Sequence, residues 1–231
     1  MTQVLALSRM RFAGYARSQR VLAPVLASLA LVAMLQAGGD ASAVDAYGVS
    51  AVGLFGIFAW QAKLALDTEP DAQRQLSYLA VGSARREVAA GLVAAGLTAA
   101  PTLVVGMVAP WLSGTVQSPP TTVALVGALG FGLWVHLLSA LPAVAVGAFA
   151  SRAVTRTRGW GVAMLVGASV MVLVLGLNGA GPLRWLVPQI IGAIKAGEDG
   201  DLGSGVVITL HAIAWSALFF AGYLVLRARR R

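Results

Sequence analysis

The sequence predicts an all-α polytopic membrane protein of six transmembrane helices, with an N-terminal interfacial helix and both termini cytoplasmic. Three observations carry that prediction. Mean hydropathy is +0.80 with only 11% charged residues, more apolar surface than a soluble domain of 231 residues could bury. Apolar runs recur at about the 20 residues needed to cross roughly 30 Å of hydrocarbon. Lysine and arginine gather in alternate connections.

The runs lie near residues 21–39, 47–66, 88–112, 122–150, 160–178 and 205–226, within a single transmembrane domain. Lipid offers no partner to a bare amide, and the runs are too uniform for barrel strands, so each is predicted helical. Of the 17 Lys and Arg residues only Arg184 and Lys195 fall on the outer side. The rest cluster around residues 9–20, 63–86, 152–158 and 227–231, which sets the predicted orientation. The net charge of +8 is therefore a topology signal rather than a nucleic-acid footprint, and the tail arginines also suit anionic lipid headgroups. A basic leader, an apolar run from Val21 and ASA at 41–43 share the outline of a signal peptide. The basic stretch is longer than such leaders carry, so an uncleaved first span is expected. With no cysteine, disulfides and thiolate sites are excluded.

Residues 1–20 project as an amphipathic helix, with Val4, Leu5, Phe12 and Tyr15 on one side, Arg9, Arg17 and Arg20 on another, and Arg11 as the exception. It is expected to lie along the cytoplasmic leaflet.

Chemistry inside the spans is sparse. No Asp or Glu lies well within them, Lys63 is near enough to an end to snorkel, and the remaining ionisable groups are His136 and His211. Each histidine sits roughly 21–23 Å from the basic end of its helix at about 1.5 Å per residue. Equal depth permits a shared haem or metal, and a haem-binding membrane redox subunit is one alternative; a polar pair or single hydrogen bond inside the bundle is the plainer account of the two histidines, and a non-transporting membrane scaffold is a further alternative. No metal site is indicated. The G-x-S-G nucleophile of intramembrane serine proteases is missing, Ser139 lying in LLSALP, and H-E-x-x-H and P-loop motifs are absent. The chain is thus expected to be no enzyme by itself, with any energy supplied by a partner.

The sizeable loop at 67–87 is the place for such a partner. Thr68 followed by Asp71, with Pro70 and Glu69, predicts the start of a short helix over about 69–81. Ala72, Leu76, Leu79 and Ala80 share one face, Gln73, Arg74 and Ser77 point elsewhere, Gly82 stops the helix and Ser83 caps the next.

The stretch RQLSYLAVGSARREVAAGL, residues 74–92, resembles the cytoplasmic loop between the second and third spans of ABC-2 type exporter permeases. The loop's usual proline is absent, with Gly82 near its place, and Gly91 stands where a lysine is common. A basic elbow helix, six spans and an outer connection, NGAGPLRWLVPQIIGAIKAGEDGDLGSG at 178–205, are similar to that family too. There Trp185, Leu186, Ile190, Ile191 and Ile194 are expected to settle into the outer interface, broken by Pro182 and Pro188.

The resemblance implies the membrane subunit of a bacterial exporter in the cytoplasmic membrane, paired with a second permease subunit and two ATPase subunits that bind ATP and Mg. The loop then becomes a coupling helix docked in the ATPase. Leu76, Tyr78 and Leu79 form its apolar knob, with Glu69, Asp71, Arg74, Arg85, Arg86 and Glu87 around it. Small-residue pairs Gly53 with Gly56, Gly91 with Ala95 and Ala128 with Gly132 suit close helix contacts, and Pro101, Pro110 and Pro142 suit kinks. Phe55, Trp60, Trp134, His136 and Asn178 mark a path for a hydrophobic or amphiphilic cargo, whether drug, antibiotic, peptide or lipid.

Overall fold

A computed structural model describes residues 2–117, 119–155, 157–177 and 181–229. Asn178 lies outside the described residues. Ten α-helices follow in order: α1 (Thr2–Arg17), α2 (Leu22–Leu35), α3 (Ala43–Thr68), α4 (Asp71–Val81), α5 (Ala84–Leu97), α6 (Ala99–Leu112), α7 (Thr122–Ala150), α8 (Arg158–Leu177), α9 (Ile190–Glu198) and α10 (Leu202–Ala228). No strand forms among the described residues; a single parallel bridge joins Ala41 to Val116.

Among the described residues six segments are long and apolar enough to cross a membrane: Gln19–Gly38, Ala43–Thr68, Ala84–Leu112, Thr122–Ala150, Gly159–Leu177 and Leu202–Ala228. The third combines α5 and α6, which part at Thr98, three residues before Pro101. A proline there lacks the N–H that would bond the Leu97 carbonyl, so the helix is interrupted where its ladder is. Pro110 and Pro142 are carried inside α6 and α7.

α3 and α7 make the centre. Half of the apolar window of α3, 50%, is buried within the chain against 11% for the fifth span, which places α8 at the periphery. Tyr47, Leu54, Phe55 and Phe58 of α3 meet Val135, Leu138, Ala143 and Val146 of α7 in one core. The two backbones come closest at Gly147, where any Cβ would overlap the Ala59 carbonyl oxygen, so a residue without a side chain is required. The Ser139 hydroxyl donates to the Ala51 carbonyl (2.7 Å), one of the cross-helix bonds that hold spans together in lipid at about 0.6 kcal/mol each.

The small-residue pairs are likewise used within the chain. Gly53 faces Leu31 and Leu35, Gly56 faces Ser169, Gly91 faces Arg11 and Leu66, and Gly132 faces Tyr47 and Met107. The connection from residue 181 to 205 is also more inward than expected. A 3-10 turn, Pro182–Leu186, leaves Trp185 and Leu186 exposed, but α9 buries Ile190 and sets Ile191 against Gly176 and Ile194 against Gly48. The glycines open slots in α8 and α3, and isoleucine fills them better than it would a wet interface.

Candidate functional site

The described acidic and basic side chains that pair deep in the fold meet at one end of the bundle, beneath α4. The chain arrives there through the last turn of α3, where the Thr68 hydroxyl donates back to the Leu64 carbonyl (2.7 Å). Thr68 therefore ends α3 and does not cap α4, whose N-cap is Pro70, with extended backbone and no side-chain cap. Gly82 terminates α4 at φ 65°, a left-handed conformation that glycine adopts without strain, and its N–H donates to the Tyr78 carbonyl (2.9 Å). Ser83 is the N-cap of α5 with no side-chain bond.

Between these stops α4 is inverted. Ser77 and Val81 are buried and Arg74 is half-buried, whereas Leu76 is 67%, Leu79 70% and Tyr78 42% exposed, with Ala72 and Ala80 exposed alongside. Polar contacts fix this orientation: Ser77 Oγ donates to Glu69 Oε1 (2.7 Å) and Arg74 Nη2 to the Leu66 carbonyl (3.0 Å). Val81 packs with Leu7 of α1 and Ala90 of α5. Full burial of a leucine is worth about 1.5–3 kcal/mol, so a fold that turns two of them outward forgoes a substantial gain.

Under α4 lies a four-charge network. Arg11 Nη2 pairs with Glu69 Oε2 (2.5 Å) and Glu87 Oε1 (2.7 Å), and Arg11 Nη1 donates to the Glu87 carbonyl (2.8 Å). The second oxygen of Glu87 holds Arg227 Nη2 (2.7 Å), and Arg227 Nη1 donates to the Tyr223 hydroxyl (2.7 Å). Arg11 and Arg227 thus meet Glu69 and Glu87, drawn from α1, α10, the α3–α4 link and α5, and Arg74 of α4 lines the same cavity. The cavity left among them, about 10 Å³, is at the lower limit for one water. The charges consequently depend on one another for solvation.

Asp67 forms a neighbouring knot. Lys63 Nζ pairs with its Oδ2 (2.5 Å), the Arg152 backbone N–H donates to its Oδ1 (2.8 Å), and Arg152 Nη2 reaches its carbonyl (2.8 Å). Lys63 accordingly bonds one turn ahead along its own helix rather than only reaching toward a headgroup.

The α1 wheel acquires its meaning here. Leu7, Ser8 and Tyr15 are buried and Val4 and Arg11 half-buried, one stripe at spacings of three and four, whereas Leu5 is exposed. The residue that broke the amphipathic pattern is the one that enters the network. Burial without a hydrogen-bond partner pushes the Tyr15 phenol up to about 12.

Of the expected interface residues, Leu76, Tyr78 and Leu79 share the outward ridge, and Arg85 and Arg86 are exposed beyond it, Arg86 reaching Gln3 Oε1 (3.3 Å). Glu69 and Glu87, expected around the knob, are buried beneath it, because Arg11 takes both and Arg227 takes Glu87 as well. Asp71 opens α4, and its side chain lies outside the described residues. Sequence reasoning missed Arg11, Ser77, Tyr223 and Arg227 as members; only the wheel exception at Arg11 signalled one of them.

Of the residues expected along a cargo path, the four described ones lie in or against the α3–α7 core. Phe55 and His136 are fully buried in the α3–α7 core, Trp60 is half-buried against that core, and Trp134 donates from Nε1 to Thr209 Oγ1 (3.0 Å) on α10. Trp134 lines an apolar groove of about 660 Å³ between α7 and α10, at the end opposite the network. His136 has both nitrogens engaged: Nδ1 donates to the Gly132 carbonyl (2.7 Å), and Nε2 lies 3.1 Å from Ser50 Oγ, whose hydroxyl donates to the Tyr47 carbonyl (3.0 Å). His211 donates from Nε2 to the Trp185 carbonyl (2.9 Å), and Trp215 Nε1 to the Leu186 carbonyl (2.9 Å), pinning the 3-10 turn to α10. The two histidines serve separate partners, and Gly106 closes on His136 so tightly that a Cβ would overlap Nε2. Among the described residues no group of three or more His, Cys, Asp and Glu could hold a metal.

Compared with family models, curated proteins and solved structures, the chain matches none.

Proposed function

We propose that this chain is the membrane subunit of an ATP-driven exporter of the ABC-2 type, seated in a bacterial cytoplasmic membrane. Both termini face the cytoplasm, and α1 lies at the inner leaflet as the elbow helix. A second permease subunit completes the path, and two separate ATPase subunits bind ATP and Mg.

The observation that carries this reading is the inversion of α4. A helix whose leucines point away from its own protein, and whose polar side is bonded down onto the bundle, has the form of a docking knob. Beneath it, Glu69, Arg11, Glu87 and Arg227 give a continuous polar contact from the foot of α4 to α5 and α10. A pull on α4 by a nucleotide-driven partner reaches two spans through these largely buried side chains. The apolar outer faces of the spans suit a hydrophobic or amphiphilic cargo.

Replacing Leu76→Glu together with Leu79→Glu tests the assignment directly. Co-expressed with the P-loop ATPase that the wild-type chain retains on affinity purification, the double variant inserts in the membrane normally and no longer retains it. Undiminished retention would overturn the coupling role of α4.

A further inference from the structure

On the far side of the Arg227–Glu87 pair, α5 and α10 diverge to leave a groove of about 550 Å³. Val88 and Leu92 line it on α5, Leu224 and Val225 on α10, and its surface is almost wholly apolar. The volume is that of a small-ligand site, about 300–1,000 Å³. Its two walls are ends of membrane spans, since one span starts at Ala84 and the other finishes at Ala228, and both residues line the groove. The groove therefore opens at the depth where hydrocarbon gives way to headgroups.

The charge at that opening is unbalanced. Arg85 lines the mouth, is exposed, and its side chain makes no ion pair or hydrogen bond among the described residues. Arg229 is exposed one residue past Ala228. Among the described residues the nearby acids are already occupied: Glu69 by Arg11, Glu87 by Arg11 and Arg227, and Asp67 by Lys63 and Arg152. An apolar channel beneath free guanidinium groups matches an amphiphile with an anionic head.

We propose that the α5–α10 groove binds an anionic phospholipid of the adjoining leaflet, an acyl chain lying along Val88, Leu92 and Leu224 and the phosphate meeting Arg85. Guanidinium and phosphate form paired N–H···O bonds, and a net anionic head adds charge complementarity that a zwitterionic head lacks. The proposal needs only that the chain resides in a bilayer, and it stands apart from the exporter reading.

Native mass spectrometry of the full chain tests it, with phosphatidylglycerol and phosphatidylcholine of identical acyl chains offered at equal concentration. The wild-type protein retains phosphatidylglycerol preferentially. Arg85→Gln lowers that preference about fivefold, one arginine's contribution at an anionic surface. Ala89→Phe, which fills the groove, reduces retention of both lipids, and Lys195→Gln, exposed on α9 at the opposite end of the bundle, leaves the ratio unchanged. Equal retention of the two lipids by the wild type, or an unaltered ratio in Arg85→Gln, would overturn the proposal. Complete displacement by glycerol phosphate would reassign the groove to a bare phosphate. Disulfide-linked dimers of Ala89→Cys in place of lipid adducts would reassign it to a second copy of the chain.

Discussion

The two short helices outside the spans, α4 and α9, use similar amphipathic sequences in opposite senses. α9 turns Ile190, Ala193 and Ala196 into the bundle and leaves Glu198 and Asp199 outside, so its apolar face is consumed in folding. α4 turns Ser77 and Val81 inward and leaves Leu76 and Leu79 outside. Amphipathicity alone does not say what an apolar stripe is for. That depends on whether the polar side is better satisfied by the protein than by water, and for α4 Glu69 and the Leu66 carbonyl make it so.

The sharpest way to break the arrangement is to remove the charge on which α4's support rests. Glu87→Ala strips Arg11 of one partner and leaves Arg227 with only the Tyr223 hydroxyl, and breaking a buried pair in this way costs about 3–5 kcal/mol. Unfolding in mixed detergent micelles should show that loss, with partial recovery when Arg227→Met is added, since the second change removes the stranded charge. Equal stability of Glu87→Ala and wild type would mean that water reaches the network.

A smaller effect separates the two helices directly. Ile190→Ala in α9 empties a fully buried site and should lower stability by about 2–3 kcal/mol, in the lower part of the range for such truncations because the connection at the bundle end can relax. Leu79→Ala in α4 should change the isolated protein by less than about 0.5 kcal/mol, as an exposed substitution does. Comparable losses for the two variants would show that α4 is covered by its own chain.

Much of the fold is legible in the sequence, because a membrane span declares itself by length and by apolar uniformity. The α4 segment, its apolar stripe and its Gly82 stop are legible for a similar reason: spacing and turn chemistry are local. The direction α4 faces is not local. Periodicity places Leu76 and Leu79 on one side and Ser77 on another, but which side meets the bundle depends on Glu69, Arg11 and Arg227, and Arg227 lies 140 residues from its partner Glu87. In sequence Arg227 belongs to a basic tail, and Thr68 has the outline of a cap until its hydroxyl turns back to Leu64. Small residues such as Gly53 and Gly132 are equally ambiguous, since a close contact within one chain and one between two chains require the same side chain.

The smallest effect concerns what holds α9 at its outer end. A hydrogen bond with Asp45 at the start of α3 raises the Glu198 carboxyl above the ordinary 4.5, with Asp45 and Asp199 adding repulsion to its ionised form and Lys195 opposing. A carboxyl whose folded value is raised favours the folded arrangement fully below its ordinary value, and the contribution fades as pH rises through the folded one. Hydrogen exchange in α9 should therefore quicken modestly as pH increases from about 4.5, beyond the intrinsic rate change for amides. In Glu198→Gln that excess pH dependence should disappear, because the amide keeps a donor for Asp45 without titrating. Asp201, held low by bonds from Ser204 at the α10 N-cap, is ionised across the same interval and serves as the fixed neighbour against which the change is read. Persistence of the excess in Glu198→Gln would assign it to another group at that end of the bundle and leave the isoleucines of α9 as its principal hold on α3.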